Sequence, residues 1–455
     1  MTAFQKIGRH AIESDGIVSL WQGSRLYLVV ADPENAEFLL KNCLEKDDTM
    51  KCLRMLTGNG SVFAPVKIWR PRRKVLAPTF SPKYLTQFAP IFSRQSQVMV
   101  NQLKNETGKG NFSIWKYITT YTMDSVCETT LGVRLNAQLQ QEQQFDKFLK
   151  SFEESSSLDS ARLCQPWLHS EAVYKMFPAY KRHTKCRTVI WQFVDEIIQA
   201  KRQSVKKIQE SMPESDQGIK ESNQNSLRTF LELLIESSGG DRGYTDVELQ
   251  EETLVLVIAG NDTTAVGIAF ASVMLSRHPD VQEKVYKEIQ EVLGDSKRPV
   301  VADDLPKLKY LDAVIRETLR LYPSVPVIVR KVDKEVTLPS GIKLVKECGI
   351  AIFIWAIHRN PRYWGDDAEL FRPERFLDSP SKHPSAFIAF SAGPRACIGY
   401  QYAMMSMKTA LAGLLRDYRL LPASNVDDHH KPLRIKFDVM LRDVGGFTVQ
   451  VEPRA

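Results

Sequence analysis

The sequence predicts a mainly α fold with a few small β-sheets, and three observations lead there. From about residue 80 to 300 of the 455-residue chain, aliphatic side chains recur at three- and four-residue spacing, the period of a helix with one buried face. Two stripes sharpen the pattern. Val281, Val285, Tyr286, Ile289, Val292 and Leu293 share one face of an otherwise charged segment, and Leu311, Val314, Ile315, Thr318, Leu319 and Tyr322 share one face of a second, which Pro323 ends. Outside this region, β-branched runs come in short pieces broken by turn residues. No Gly-, Ser- or Pro-rich stretch separates the halves, so one domain spanning residues 1–455 is expected.

Taken in order, residues 17–21 and 26–30 read as short strands and residues 33–42 as a helix opened by Pro33. Residues 206–225 are polar and charged, and read as an exposed loop or helix end. A helix is expected over 249–275. Residues 325–357 read as strands around a Pro339-Ser340-Gly341 turn, and a helix follows over 398–415. A last strand pair is expected between residues 433–441 and 446–451.

Composition excludes several classes. Lys and Arg number 61 against 54 acidic residues, a net charge of +7, too weak to argue for nucleic acid but suited to an acidic partner or an anionic membrane surface. The seven cysteines are scattered, with no Cys-x-x-Cys pair, which argues against a disulfide framework or a structural zinc site. No run reaches the roughly 20 apolar residues that span a bilayer, and residues 1–10 lack the apolar centre of a signal peptide. On these grounds alone the chain reads as soluble.

Four segments carry chemistry. In Phe390-Ser391-Ala392-Gly393-Pro394-Arg395-Ala396-Cys397-Ile398-Gly399, Gly393 and Pro394 permit a sharp turn and Gly399 leaves room beside a sulfur. Cys397 then stands before a helix, where unpaired N–H groups and the helix dipole favour a thiolate. By itself, a lone cysteine after a Gly-Pro turn reads first as a buried structural residue. Ala259-Gly260-Asn261-Asp262-Thr263-Thr264 interrupts an apolar helix with Gly, Thr and a charge, local faults that mark strained or functional sites. Glu317 and Arg320 are neighbours on a helix, and periodicity places them opposite the apolar stripe as a solvated ion pair. Trp69 and Arg73 share a helix face within a basic run whose Arg70 and Arg72 read as surface.

The Cys397 segment resembles the haem-binding loop of cytochromes P450, Phe-x-x-Gly-x-Arg-x-Cys-x-Gly, at every specified position, and the other three segments match further motifs of that family in order. The resemblance implies the cytochrome P450 fold. It implies haem b (iron protoporphyrin IX) with Cys397 as its axial ligand, and an Asp262–Thr263 pair delivering protons. Trp69, Arg73, Arg330 and Arg395 would face the haem propionates. Glu317, Arg320 and Arg375 (of Pro373-Glu374-Arg375-Phe376) would form a buried network that holds the haem loop. His358 and the Tyr363-Trp364 pair would be structural. The chain looks closest to the family-4 group of animal enzymes, insect members included. Many of these carry a Glu where this chain has Ala259 and bind haem through an ester, so noncovalent haem is expected here.

The implied reaction inserts one atom of dioxygen into a hydrophobic small molecule: a fatty acid, a pheromone-like odorant, a terpenoid or a xenobiotic. With no nicotinamide or flavin fingerprint in the sequence, electrons would come from a separate NADPH–cytochrome P450 reductase, with cytochrome b5 as an accessory donor. The implied setting is a monomer on the cytosolic face of the endoplasmic reticulum membrane, with the N-terminal anchor and hinge of microsomal members missing from this chain. Two other readings stay open: a haem-thiolate isomerase that rearranges a peroxide, and a non-enzymatic haem or ligand carrier.

Overall fold

The computed structural model describes residues 2–139, 143–210, 229–237, 244–294, 298–378, 383–424 and 431–454. About 60% of it is helical. Its centre is the helix Asp246–Arg277, opened by a capping box in which Thr245 and Glu248 bond each other's backbone N–H. This helix is long and apolar enough to cross a membrane, but 78% of its apolar window is buried inside the protein, so it is a core helix. Around it pack the helices Trp115–Val126, Lys309–Leu321 and Tyr400–Asp417. Gly260, a poor helix former, has a packing reason: a Cβ there would lie 2.6 Å from Cγ2 of Val126 on the neighbouring helix.

The principal sheet has four strands in the order Ile17–Gln22, Arg25–Val30, Gly349–Ile352, Ile328–Lys331. The second and third run parallel and the outer pairings are antiparallel, so the sheet joins the start of the chain to the segment just after Pro323. The expected strands at 17–21 and 26–30 and the helix at 33–42 are present within a residue of their predicted ends.

Two expectations are corrected, and a third stands as far as it is described. The C-terminal strands do not pair as predicted. Ile435–Asp438 folds back on Met440–Asp443 through Val439, and Thr448–Pro453 instead pairs with Tyr418–Pro422 and Phe112–Ser113. Tyr418–Pro422 directly follows a helix and carries no strand signal of its own. Residues 354–357 form a helical turn, where strands were expected. The polar segment from residue 206 is helical as far as Glu210, and residues 211–225 lie outside the described residues.

Candidate active site

The Cys397 loop is built by one tight turn. Gly393 has φ +70°, and a Cβ there would lie 2.5 Å from the Leu40 carbonyl oxygen, so only glycine fits. The Ala396 N–H donates to the Gly393 carbonyl (3.0 Å) and the Cys397 N–H to that of Phe390 (2.9 Å). Cys397 keeps open surface although its thiol lies deep in the molecule, so that surface belongs to an interior cleft. Burial pushes the Cys397 thiol up, and the Gly399 N–H and the Arg73 charge pull it back without cancelling the effect. The sequence-based expectation of a thiol lowered by its loop is therefore corrected: desolvation outweighs the N–H groups.

The long helix supplies a second wall. Between residues 251 and 276 only Ile258, Ala259, Gly260 and Thr263 keep open surface, and all four lie within two turns. Ile258 and Ile398, from the helix and the cysteine loop, pack against the same apolar cluster as Leu254 and Val257.

A cationic group flanks the cleft. Arg330 is 1% exposed, and among the described residues its guanidinium has one hydrogen bond, from Nη1 to its neighbour's carbonyl, while Nε has no acceptor. Arg395 donates Nη2 to the Ala64 carbonyl (2.7 Å) and lies 4.5 Å above the Trp69 ring, with Nε and Nη1 lacking acceptors among the described residues. Burial, then the Arg395 charge, lower Arg330 to about 9, and burial lowers Arg395 to about 10. Lys46 joins them: burial, then the charges of Arg330 and Arg395, hold it well below its ordinary value. The residue is partly buried, and its Nζ lies 5.9 Å from the centre of the Phe63 ring. Lys46 escaped sequence reasoning because a single lysine after an acidic residue carries no local signal. Arg73 is turned to the loop itself, donating Nη1 to the Ala396 carbonyl at 2.9 Å.

Asp262 and Thr263 stand side by side but are engaged differently. The Thr263 hydroxyl donates to the Ala259 carbonyl one turn back (2.6 Å). Asp262 is buried and takes a charge-assisted bond from Arg442 Nη2 to Oδ1 at 2.6 Å, while Oδ2 has no partner among the described residues. Arg442 was not singled out by the sequence. Its strand lies 180 residues from Asp262.

Glu317, Arg320 and Arg375 are brought together and buried. Glu317 accepts from Arg320 Nε (2.7 Å) and Nη2 (2.8 Å), Arg375 Nε (3.0 Å) and the Arg372 N–H (2.8 Å). The remaining Arg320 donors reach the carbonyls of His358, Ala368 and Leu370, so all five N–H groups are used. The solvated pair expected from periodicity is thus corrected: polarity placed these residues away from the apolar stripe, but another polar segment covers them. His358 is a satisfied interior histidine. Nδ1–H donates to the Arg320 carbonyl, and Nε2 accepts from the Ile388 N–H. Arg72, expected on the surface, is buried and pairs with Glu252 (2.7 Å) and Glu248 (3.0 Å), pinning its helix to the long helix.

An interior cleft with one sulfur on its wall and guanidinium donors short of acceptors fits a flat, anion-bearing macrocycle. Among the described residues no three His, Cys, Asp or Glu side chains could jointly hold a metal. A lone thiol ligates iron firmly only when a macrocycle supplies the equatorial donors. Comparison with known proteins gives the class: the chain belongs to the cytochrome P450 family, whose model matches residues 4–446. It is therefore a haem-thiolate monooxygenase, an oxidoreductase. Within the family it is similar to members of group 4. It is 33% identical to cytochrome P450 4V2 of Mus musculus, over 96% of this chain and 82% of the relative. It is 32% identical to cytochrome P450 4c21 of Blattella germanica over 90% and 81%, and 33% identical to cytochrome P450 4d2 of Drosophila melanogaster over 96% and 86%.

Proposed function

We propose that the chain binds haem b noncovalently through Cys397 and oxygenates a hydrophobic small molecule, with electrons from a separate NADPH–cytochrome P450 reductase. The observation that carries this reading is the pairing of a deep thiol, on a cysteine that keeps open surface, with the acceptor-poor cations Arg330 and Arg395. When bound, the haem supplies dioxygen activation, favoured by electron donation from the thiolate. Arg330, Arg395 and Lys46 neutralise its propionates, with Trp69 backing Arg395, and Arg73 orients the cysteine loop through the Ala396 carbonyl. Ala259 offers no carboxylate for an ester to the ring. Asp262 and Thr263 hold and pass protons on the opposite wall. The buried Glu317–Arg320–Arg375 network fixes the segment that leads into the loop.

Balance requires two electrons and two protons per dioxygen, one oxygen atom entering the substrate and the other leaving as water. Exposed Arg70 and Lys74 share a helix with Arg73, which touches the loop, and offer an acidic reductase, or cytochrome b5, a docking face on the thiolate side. The setting that suits these partners is the cytosolic face of the endoplasmic reticulum. The retained Asp262–Thr263 pair favours oxygenation over peroxide rearrangement or mere ligand carriage.

The test is the ferrous–CO absorption spectrum of the purified chain. A strongly red-shifted Soret band, lost in Cys397→Ser, is expected, and a histidine-type spectrum overturns the reading. Reductase, NADPH and a panel of fatty acids, terpenoids and odorants then identify the substrate by product.

A further inference from the structure

The strand Met440–Asp443 touches Asp262 directly and reaches Thr263 through Ser324. Arg442 Nη2 binds Asp262 Oδ1 at 2.6 Å. One residue earlier, the Leu441 N–H donates to the Ser324 carbonyl (3.0 Å), and the Ser324 hydroxyl donates to the Thr263 carbonyl (2.8 Å). The same strand is tied to the helix Gln143–Cys164. At the hairpin turn the Val439 N–H, on a residue with φ +61°, donates to the Ser160 hydroxyl at 2.7 Å. The Arg442 guanidinium also lies 4.6 Å above the Trp115 ring, whose Nε1–H donates to Glu153 on that helix (2.9 Å). Two separate routes therefore run from that helix, one through Ser160 to the hairpin turn that precedes Arg442 and one through Glu153 and Trp115 to the Arg442 guanidinium.

The electrostatics of the pair are one-sided. Asp262 and Arg442 are buried, and Asp262 Oδ2 and Arg442 Nη1 lack partners among the described residues. With Oδ1 fixed, Oδ2 is the oxygen left to take up and release a proton. Deleting Arg442 would strand a buried carboxylate without a counter-charge, which such sites resist by protonation or by turning the group away.

We propose that Arg442 is a positioning residue that holds Asp262 as a paired carboxylate with Oδ2 free, and that the Ile435–Asp443 hairpin links this setting to the helix Gln143–Cys164. Its part in proton delivery rests on the haem reading above; the ion pair itself does not. In turnover, dioxygen, two electrons from the reductase, two protons and substrate C–H give alcohol and water. When protons arrive out of place, the same two electrons and two protons leave with dioxygen as hydrogen peroxide.

The experiment uses the full haem-loaded chain with Arg442→Gln, Arg442→Lys, Asp262→Asn, Ser160→Ala and the Arg442→Gln/Asp262→Asn double variant. Chemical denaturation followed by circular dichroism needs no turnover. The two single substitutions should be non-additive by about tenfold in the unfolding equilibrium constant. In turnover, Arg442→Gln should cut the product formed per NADPH by about tenfold. Peroxide should rise and the solvent deuterium isotope effect should change, while the thiolate CO spectrum stays as in wild type. Arg442→Lys should restore much of the coupling, the double variant should be no worse than Asp262→Asn, and Ser160→Ala should shift electrons to peroxide in the same sense. Additive stabilities overturn the pair. Wild-type coupling in Arg442→Gln overturns the positioning role, and wild-type coupling in Ser160→Ala overturns the link to the helix. A wild-type protein without a thiolate spectrum overturns the haem reading instead, and leaves the stability cycle to judge the pair.

Discussion

Arg320→Lys keeps the charge of the buried network and removes its geometry. Arg320 uses five donors, two on Glu317 and three on the carbonyls of His358, Ala368 and Leu370. A lysine ammonium has three donors at most and cannot form the fork, so at least two of the five bonds to buried acceptors are lost. Its loss from above the Trp364 ring, where the guanidinium sits at 5.0 Å, adds to the cost. With roughly 1–3 kcal/mol for each bond lost to a buried or charged group, the substitution should destabilise the chain by about 3 kcal/mol. Glu317→Ala, which strands two buried guanidinium groups, should cost about 3–5 kcal/mol. An unfolding entropy of about 2 cal/mol/K per residue converts 3 kcal/mol to about 3 °C for a chain of this length. Calorimetry reads the shift. Because the bonded carbonyls lie on the segment leading to the cysteine loop, the thiolate CO spectrum should fade in urea before the helical signal does. An Arg320→Lys protein that melts with wild type and keeps its CO spectrum to the same urea concentration would refute this account.

Three further outcomes follow from the same geometry. Arg330→Met removes a buried cation with an unpaired Nε, so the haem-free chain should not lose stability, while haem dissociation should quicken by about tenfold to a hundredfold, read by transfer to a haem acceptor. Burial, then the Arg320 charge, push His358 down to about 3, so the unfolded chain binds the extra proton as pH falls from its ordinary value near 6.5. Stability conferred by neutral His358 should therefore be lost at about 1.4 kcal/mol per pH unit over that window. The buried Asp159 is raised and titrates in the opposite sense, so the contribution is read as the difference between wild type and His358→Asn, which should shrink towards low pH. Gly260→Ala gains up to about 1 kcal/mol in helix propensity but places a methyl group 2.6 Å from Val126 Cγ2; the net effect on melting should be destabilising, and Val126→Ala should relieve it.

What the sequence made legible was local, and what it hid was long-range. Helical periods and the dense pattern from Phe390 to Gly399 are carried by neighbours in the chain, so the order of residues alone places the helices and the cysteine loop. Periodicity failed at Glu317 and Arg320 because it reports which face is polar, not whether another polar segment covers it; Arg375 lies 58 residues away. Arg72 looked like surface for the same reason, its partner Glu252 being 180 residues distant. The C-terminal strands were found but mispaired, because pairing is set by what lies alongside, and Phe112–Ser113 and Tyr418–Pro422 are too short or too close to a helix to announce themselves. Lys46 and Arg442 are single charges in ordinary surroundings, and only their buried neighbours give them meaning.

Those hidden residues share one property. Each charge is held where an isolated charge would not settle, and each is held by parts of the fold far from it in sequence. Burial depresses Lys46, Arg330 and Arg395, with the Arg395 charge adding to it at Lys46 and Arg330, burial raises the Cys397 thiol, and Asp262 keeps a buried oxygen without a partner among the described residues. A chain folded for stability alone would replace such cations with apolar side chains. That they persist requires a scaffold rigid enough to impose them, and the Arg320 network, with every donor used, is such a scaffold. A ligand carrying two carboxylates and a thiolate-seeking metal would pair the buried cations and stabilise the sulfur as thiolate at once, so its binding energy adds to folding energy. Arg330→Met therefore separates the two contributions: a cation that serves only the fold would lower the stability of the haem-free chain when removed, whereas one that serves the ligand would leave that stability intact and lower only the affinity for haem.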